Sequence, residues 1–120
     1  MSEHDGCGVA ELHEDDFQNP SLLEDVFQRL IEGLKRRKLV VDLSAVESVM
    51  SLGIAVLVAA QGLALIHKTR IAFAAARPGV QRLLELTGAD KAIRLYPSVE
   101  EAVKDLNGSS RRRASSGRRR

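Results

Sequence analysis

Ser48, Met50 and Ser51 stand immediately before Leu52, Gly53 and a long apolar run, and here residue type and spacing could support chemistry. A serine at a helix entrance can cap it, its oxygen accepting from an amide two or three residues on, which for Ser51 means Gly53 or Ile54. The same hydroxyl is a candidate for phosphorylation. A phosphate there is accommodated by free amides and the helix dipole, yet adds about −1.5 to −2 charges to any surface a partner touches. Capping and switching both stay open on spacing alone.

The rest of the chain offers little for catalysis. Gly53 and Gly62 make neither a Walker nor a dinucleotide fingerprint, and His13 and His67 have no nucleophile or ligand at a telling spacing. His67 is expected as a favourable group at a helix C-terminus. His4, Asp5 and Cys7 lack a second Cys or His pair, so neither a metal nor a cofactor is expected. The chain reads as a non-enzyme.

The elements that must position the serines follow from hydrophobic pattern. Leu39 to Leu43 is a short run rich in β-branched residues, suited to a strand covered on both faces, whereas Leu52 to Ile66 is long enough for a helix. That helix is apolar nearly all round, so protein is expected to cover most of it. Upstream, Val9 to Leu12 is a short strand candidate and His13 to Asp16 an acidic loop. Pro20 suits a first helical turn, Ser21-x-x-Glu24 fits a capping box, and Leu22 to Leu34 repeat at steps of three and four, predicting a helix over 21–35. Lys35 to Lys38 is expected as a solvated helix end. Downstream come a strand at 71–75, a break at Pro78-Gly79, a helix at 80–87 stopped by Gly88, a strand at 92–96, and a helix from the capping box Ser98-x-x-Glu101 to about Leu106. Alternating strands and helices imply a small single-domain α/β fold, with a mainly parallel or mixed sheet of about four strands and helices packed on it.

Composition narrows the function. The 120 residues carry a net charge of +2, but 1–108 hold 12 Lys or Arg against 16 Asp or Glu, and the remaining six Arg lie in the tail. A mildly acidic body with 3% aromatic residues and no Trp is poorly equipped to stack nucleobases. No specific nucleic-acid partner is expected. One cysteine, no leader-like opening and no apolar run near the ~18 residues of a spanning helix suggest a cytoplasmic protein without membrane insertion. Residues 1–8 and 108–120 are expected to be disordered around a 9–107 domain. The Arg-rich tail reads as solvated, although Arg112-Arg113-Ala114-Ser115 resembles a basophilic kinase site.

The stretch Val40-Val41-Asp42-Leu43-Ser44, followed seven residues later by Ser51-Leu52-Gly53 and an apolar helix, resembles the central signature of the STAS domain family. Arg77-Pro78-Gly79-Val80-Gln81-Arg82-Leu83 to Gly88 is similar to the family's later segment, and the likeness spans about Val9 to Leu106. It implies an anti-sigma factor antagonist. Ser51 would be phosphorylated by a partner that is both anti-sigma factor and serine kinase, a GHKL-type ATPase. Asp16, Ser48, Met50, Ser51, Leu52 and Gly53 would form the partner surface. A second reading is a STAS subunit docking on an ABC transporter ATPase without phosphorylation. Met50 and Leu52 replace the family's Asp and second Ser, and Leu52 either packs inward or joins Met50 in an adaptable apolar contact. The family's usual first strand is not expected, because too few residues precede Val9.

Overall fold

A computed structural model describes residues 2–34, 38–49 and 51–112. The family's usual first strand, for which the residues before Val9 looked too few, is present. β1 (Ser2–His4) and β2 (Cys7–His13) form an antiparallel hairpin with Ser2 opposite Val9 and His4 opposite Cys7. Asp5 and Gly6 connect them with φ of 51° and 84°, the left-handed pair that a two-residue hairpin turn needs and that Asp-Gly supplies. Residues 2–8, expected without order, are thus structured by a turn dipeptide and by Asn107, whose Nδ2 donates to the Asp5 carbonyl at 3.0 Å.

Parallel strands follow in chain order. β3 (Lys38–Ala45) lies beside β2, β4 (Arg70–Ala74) beside β3, and β5 (Leu95–Tyr96) beside β4, giving the order β1-β2-β3-β4-β5. Four parallel strands match the expectation, and the hairpin adds the antiparallel fifth. The expected strand at 92–96 shrinks to two residues because Ala92 and Ile93 instead bond back to the Ala89 carbonyl, and Ile93 turns into the core.

Three crossover helices, α1 (Pro20–Leu34), α2 (Ser51–Ile66) and α3 (Pro78–Thr87), pack on one sheet face. In β3 the two-residue period sends Leu39, Val41 and Leu43 to that side, against Phe27 and Ile31 of α1, Leu57 and Ala64 of α2, and Leu84 of α3. Val40 points to the other face. There it joins Cys7, Val9, Ala72 and Ala74 beneath Ala102, Val103 and Leu106 of α4 (Val99–Arg112). Each large side chain sealed this way contributes about 1.5–3 kcal/mol.

The helix ends are set by local chemistry. At α1 the cap is Asn19 and not Ser21: its Oδ1 accepts from Leu22 N–H at 3.2 Å and its carbonyl from Leu23 N–H at 3.0 Å. Pro20 explains the shift, since its fixed φ and missing N–H suit the first helical position and push the cap one residue earlier. Gly88 ends α3 in the left-handed region at φ 79°, and Ser98 Oγ accepts from Glu101 N–H at 3.1 Å at the start of α4. α4 continues past Asn107-Gly108, where the sequence reading stops it; residues 113–120 lie outside the described residues. So do Lys35, Arg36 and Arg37 of the basic cluster, whereas Lys38 opens β3 and its Nζ donates to Asn107 Oδ1 at 2.7 Å.

One expectation about α2 fails. Leu52, Ala55, Ala59, Gly62 and Ile66 fall at steps of three and four on a side that no element among the described residues covers, and Leu65 and Ile66 are 72% and 75% exposed. Laying three helices side by side on a sheet leaves each an outer face. In α2 that face is largely Ala and Gly, which expose little apolar area.

Candidate functional site

The loop leading into α2 is held at its base. Asp42 Oδ1 accepts from Ser44 N–H at 2.9 Å, Val46 N–H donates to the Leu43 carbonyl at 3.0 Å, and the Val46 side chain is fully buried. Arg77, just before α3, donates from Nε to the Ser44 carbonyl at 2.8 Å. These bonds turn the chain after β3 and leave Glu47 and Ser48 exposed at the tip.

Opposite this tip runs a 3-10 segment, Glu14–Gln18, after β2. Between the two lies a cavity of about 470 Å³, with Glu14, Phe17 and Pro20 on one wall and Ser48, Val49 and Leu52 on the other. Ser48 Oγ donates to Glu14 Oε2 at 3.3 Å across it. Leu52 is 63% exposed, so its side chain faces outward. Gly53 is buried beneath: a Cβ there would stand 2.5 Å from Val49 Cγ2 and 2.7 Å from Phe17 Cδ1, too close for any side chain without movement. Glycine is required by that approach of the two walls.

Among the sequence-derived site residues, Ser48, Leu52 and Gly53 meet at this cavity. Asp16 sits on the same 3-10 segment but is spent locally, its Oδ2 accepting from His13 N–H at 2.7 Å. Met50 lies outside the described residues, and Ser51 is the first residue of α2. Glu14, Phe17 and Val49 were missed by the sequence reading. The available signal was an aromatic, one of three Phe in the chain, directly after an acidic loop. The arrangement joins a small apolar mouth to exposed carboxylates at Glu14 and Asp15, with Glu47 at the loop tip shared with Arg77 Nη1 at 3.9 Å, which suits contact with a cationic, partly apolar surface.

His13 and His67 gain no catalytic neighbour among the described residues. His13 Nε2 lies 3.6 Å from Glu11 Oε1 with both side chains more than half exposed, and His67 follows the end of α2. Cys7 is buried in the sheet with its thiol 3.8 Å from Asn107 Oδ1. Among the described residues no group of three or more His, Cys, Asp or Glu is placed to hold a metal, and no helix is long and apolar enough to cross a membrane.

The STAS domain family model matches residues 1–102. The chain belongs to the STAS domain family. Similar solved structures include an anti-sigma factor antagonist from Mycobacterium paratuberculosis, 28% identical, covering 88% of this chain and 90% of that one with a TM-score of 0.71. A putative anti-sigma factor antagonist from Thermotoga maritima is 21% identical, with 88% and 92% covered and a TM-score of 0.73. The STAS domain of a SulP transporter from Vibrio cholerae is 17% identical, with 92% and 88% covered and a TM-score of 0.72. With these last two the STAS domain described here shares the fold.

Proposed function

We propose that this STAS domain is an anti-sigma factor antagonist that binds a kinase-type anti-sigma factor, a GHKL-type ATPase, through the mouth of α2, and that phosphorylation of Ser51 releases it. STAS domains are regulatory protein-interaction modules, and the observation that carries the reading is the exposed Leu52 beside an apolar cavity at the head of α2. Glu14 lines the same cavity. A partner matching it presents cations and an apolar contact, and a phosphate at Ser51 adds charge to the centre of that contact.

The test is a titration of a cognate kinase-like ATPase with wild-type protein, Ser51→Ala and Ser51→Asp. Ser51→Asp is expected to weaken binding roughly tenfold or more, with Ser51→Ala close to wild type. Equal affinity of the aspartate variant and wild type removes the switch and leaves a constitutive binder, the behaviour expected of a subunit docking on an ABC transporter ATPase. Mass spectrometry of Ser51 after incubation with the ATPase and ATP checks the modification directly.

A further inference from the structure

We propose that the arginine-rich end of the chain, residues 113–120, docks in a groove between α1 and α2. The groove has a volume of about 230 Å³, with Glu24, Asp25 and Gln28 of α1 along one rim and Val56, Ala59 and Leu63 of α2 along the other. Among the described residues no Lys or Arg lines it. α2 contains no charged residue between Ser51 and Ile66, and Ala59 lies on its open side. The negative charge of the α1 rim is therefore unanswered from across the groove.

The rim carboxylates are also unspent. Around the mouth of α2, Glu14 accepts from Ser48, Asp16 accepts from His13 N–H, and Glu47 lies 3.9 Å from Arg77 Nη1. Glu24 and Asp25, both exposed, have no side-chain hydrogen bond or ion pair among the described residues. Below them Glu32 accepts only from the neutral amide of Gln28, at 3.1 Å. Asp25, Gln28 and Glu32 fall at steps of three and four, so with Glu24 they form one acidic row along α1.

Charge and reach select the occupant. Residues 109–120 hold six Arg and no Asp or Glu, against an excess of acid over base in 1–108. An arginine stem lies well on an apolar rim such as Val56 and Ala59 while its guanidinium pairs with a carboxylate on the other. α4 ends at Arg112, and its Asn107 accepts from Lys38 Nζ at 2.7 Å, at the end of the sheet where α1 finishes at Leu34. Eight further residues extend by up to about 27 Å. Rounding the sheet from the layer of α4 to that of α1 takes about 20 Å, two layer spacings. Arg118, Arg119 and Arg120 then stand beside Glu32 and Gln28, and their long side chains reach Asp25 one turn further on. Docked there, the tail lowers the negative charge that a cationic partner meets near Leu52, a consequence that rests on the proposed function; the docking itself does not.

Spin labelling of the full chain, with no partner present, is the test. Cys7 is buried, so a nitroxide reagent modifies Ser116→Cys instead, and the label is expected to abolish the amide resonances of Gln28 and Ala59 at low salt. Roughly 1 M salt, which screens charges beyond about 3 Å, should restore them. Glu24→Gln combined with Asp25→Asn should restore them at low salt. Glu100→Gln combined with Glu101→Gln on α4 makes the same change in net charge and should leave them abolished. All four carboxylates are exposed, and unchanged melting temperatures check that both pairs fold. Resonances of Gln28 and Ala59 that persist beside the label at low salt overturn the proposal. So does a loss that removing Glu24 and Asp25 does not reverse. A loss that appears only between spin-labelled and isotope-labelled molecules mixed together overturns it too, by giving the groove to the tail of a second copy.

Discussion

At the residue scale, the head of α2 is built around an absent side chain. Gly53→Ala must push apart Val49 and Phe17, an overpacking cost of about 1–3 kcal/mol, set against a gain of about 1 kcal/mol from better helix propensity. A net loss of about 1 kcal/mol is expected in urea denaturation, with a larger loss of partner binding because the two walls separate. On the edge strand β5, Tyr96 donates its hydroxyl to Asp105 of α4. Burial first, then the hydrogen bond and charge of Asp105, push its phenol from 10.0 up to about 12. A raised value means that the neutral form is favoured by folding, so this contribution to stability is whole below about pH 10 and is lost as pH rises toward 12. Tyr96 is the only tyrosine in a chain without tryptophan, so phenolate absorbance reports it alone. Its midpoint should fall near 12 in the native protein and near 10.0 in urea, and Tyr96→Phe should abolish the alkaline loss of stability assigned to it.

At the element scale, the helix stops and starts show which local signals suffice. Gly88 and Ser98 act as their residue types and spacing imply, because a left-handed stop and a serine cap are settled within a few residues. The start of α1 needed a choice between two adjacent caps. Asn19→Ala is expected to cost about 1 kcal/mol and Ser21→Ala less than about 0.5 kcal/mol, a contrast readable by thermal or urea unfolding. Equal costs would return the cap to Ser21. The shortened β5 has a different cause: Ala92 to Tyr96 has strand-like composition, but Ile93 gains more by burial against the core than by extending the ladder.

At the scale of the whole molecule, three helices share one sheet face and α4 alone closes the other. The strands facing α4 present small residues, Cys7, Val9, Ala72 and Ala74, so the helix sits close and Leu106 fills much of the space. Leu106→Ala should therefore cost about 3 kcal/mol in urea unfolding; a cost below about 1 kcal/mol would show that this face collapses around the gap. The sequence by itself determined the alternation of strands and helices, the parallel sheet, and the serine-containing turn at the head of α2, because two-residue and 3.6-residue periods and turn chemistry are local. It could not reveal that Phe17 and Glu14 stand opposite Ser48, that one side of α2 is open, or that Glu24, Asp25 and Ala59 share a groove. Those pairings join residues far apart in the chain, and only the packing of helices across the sheet brings them within reach.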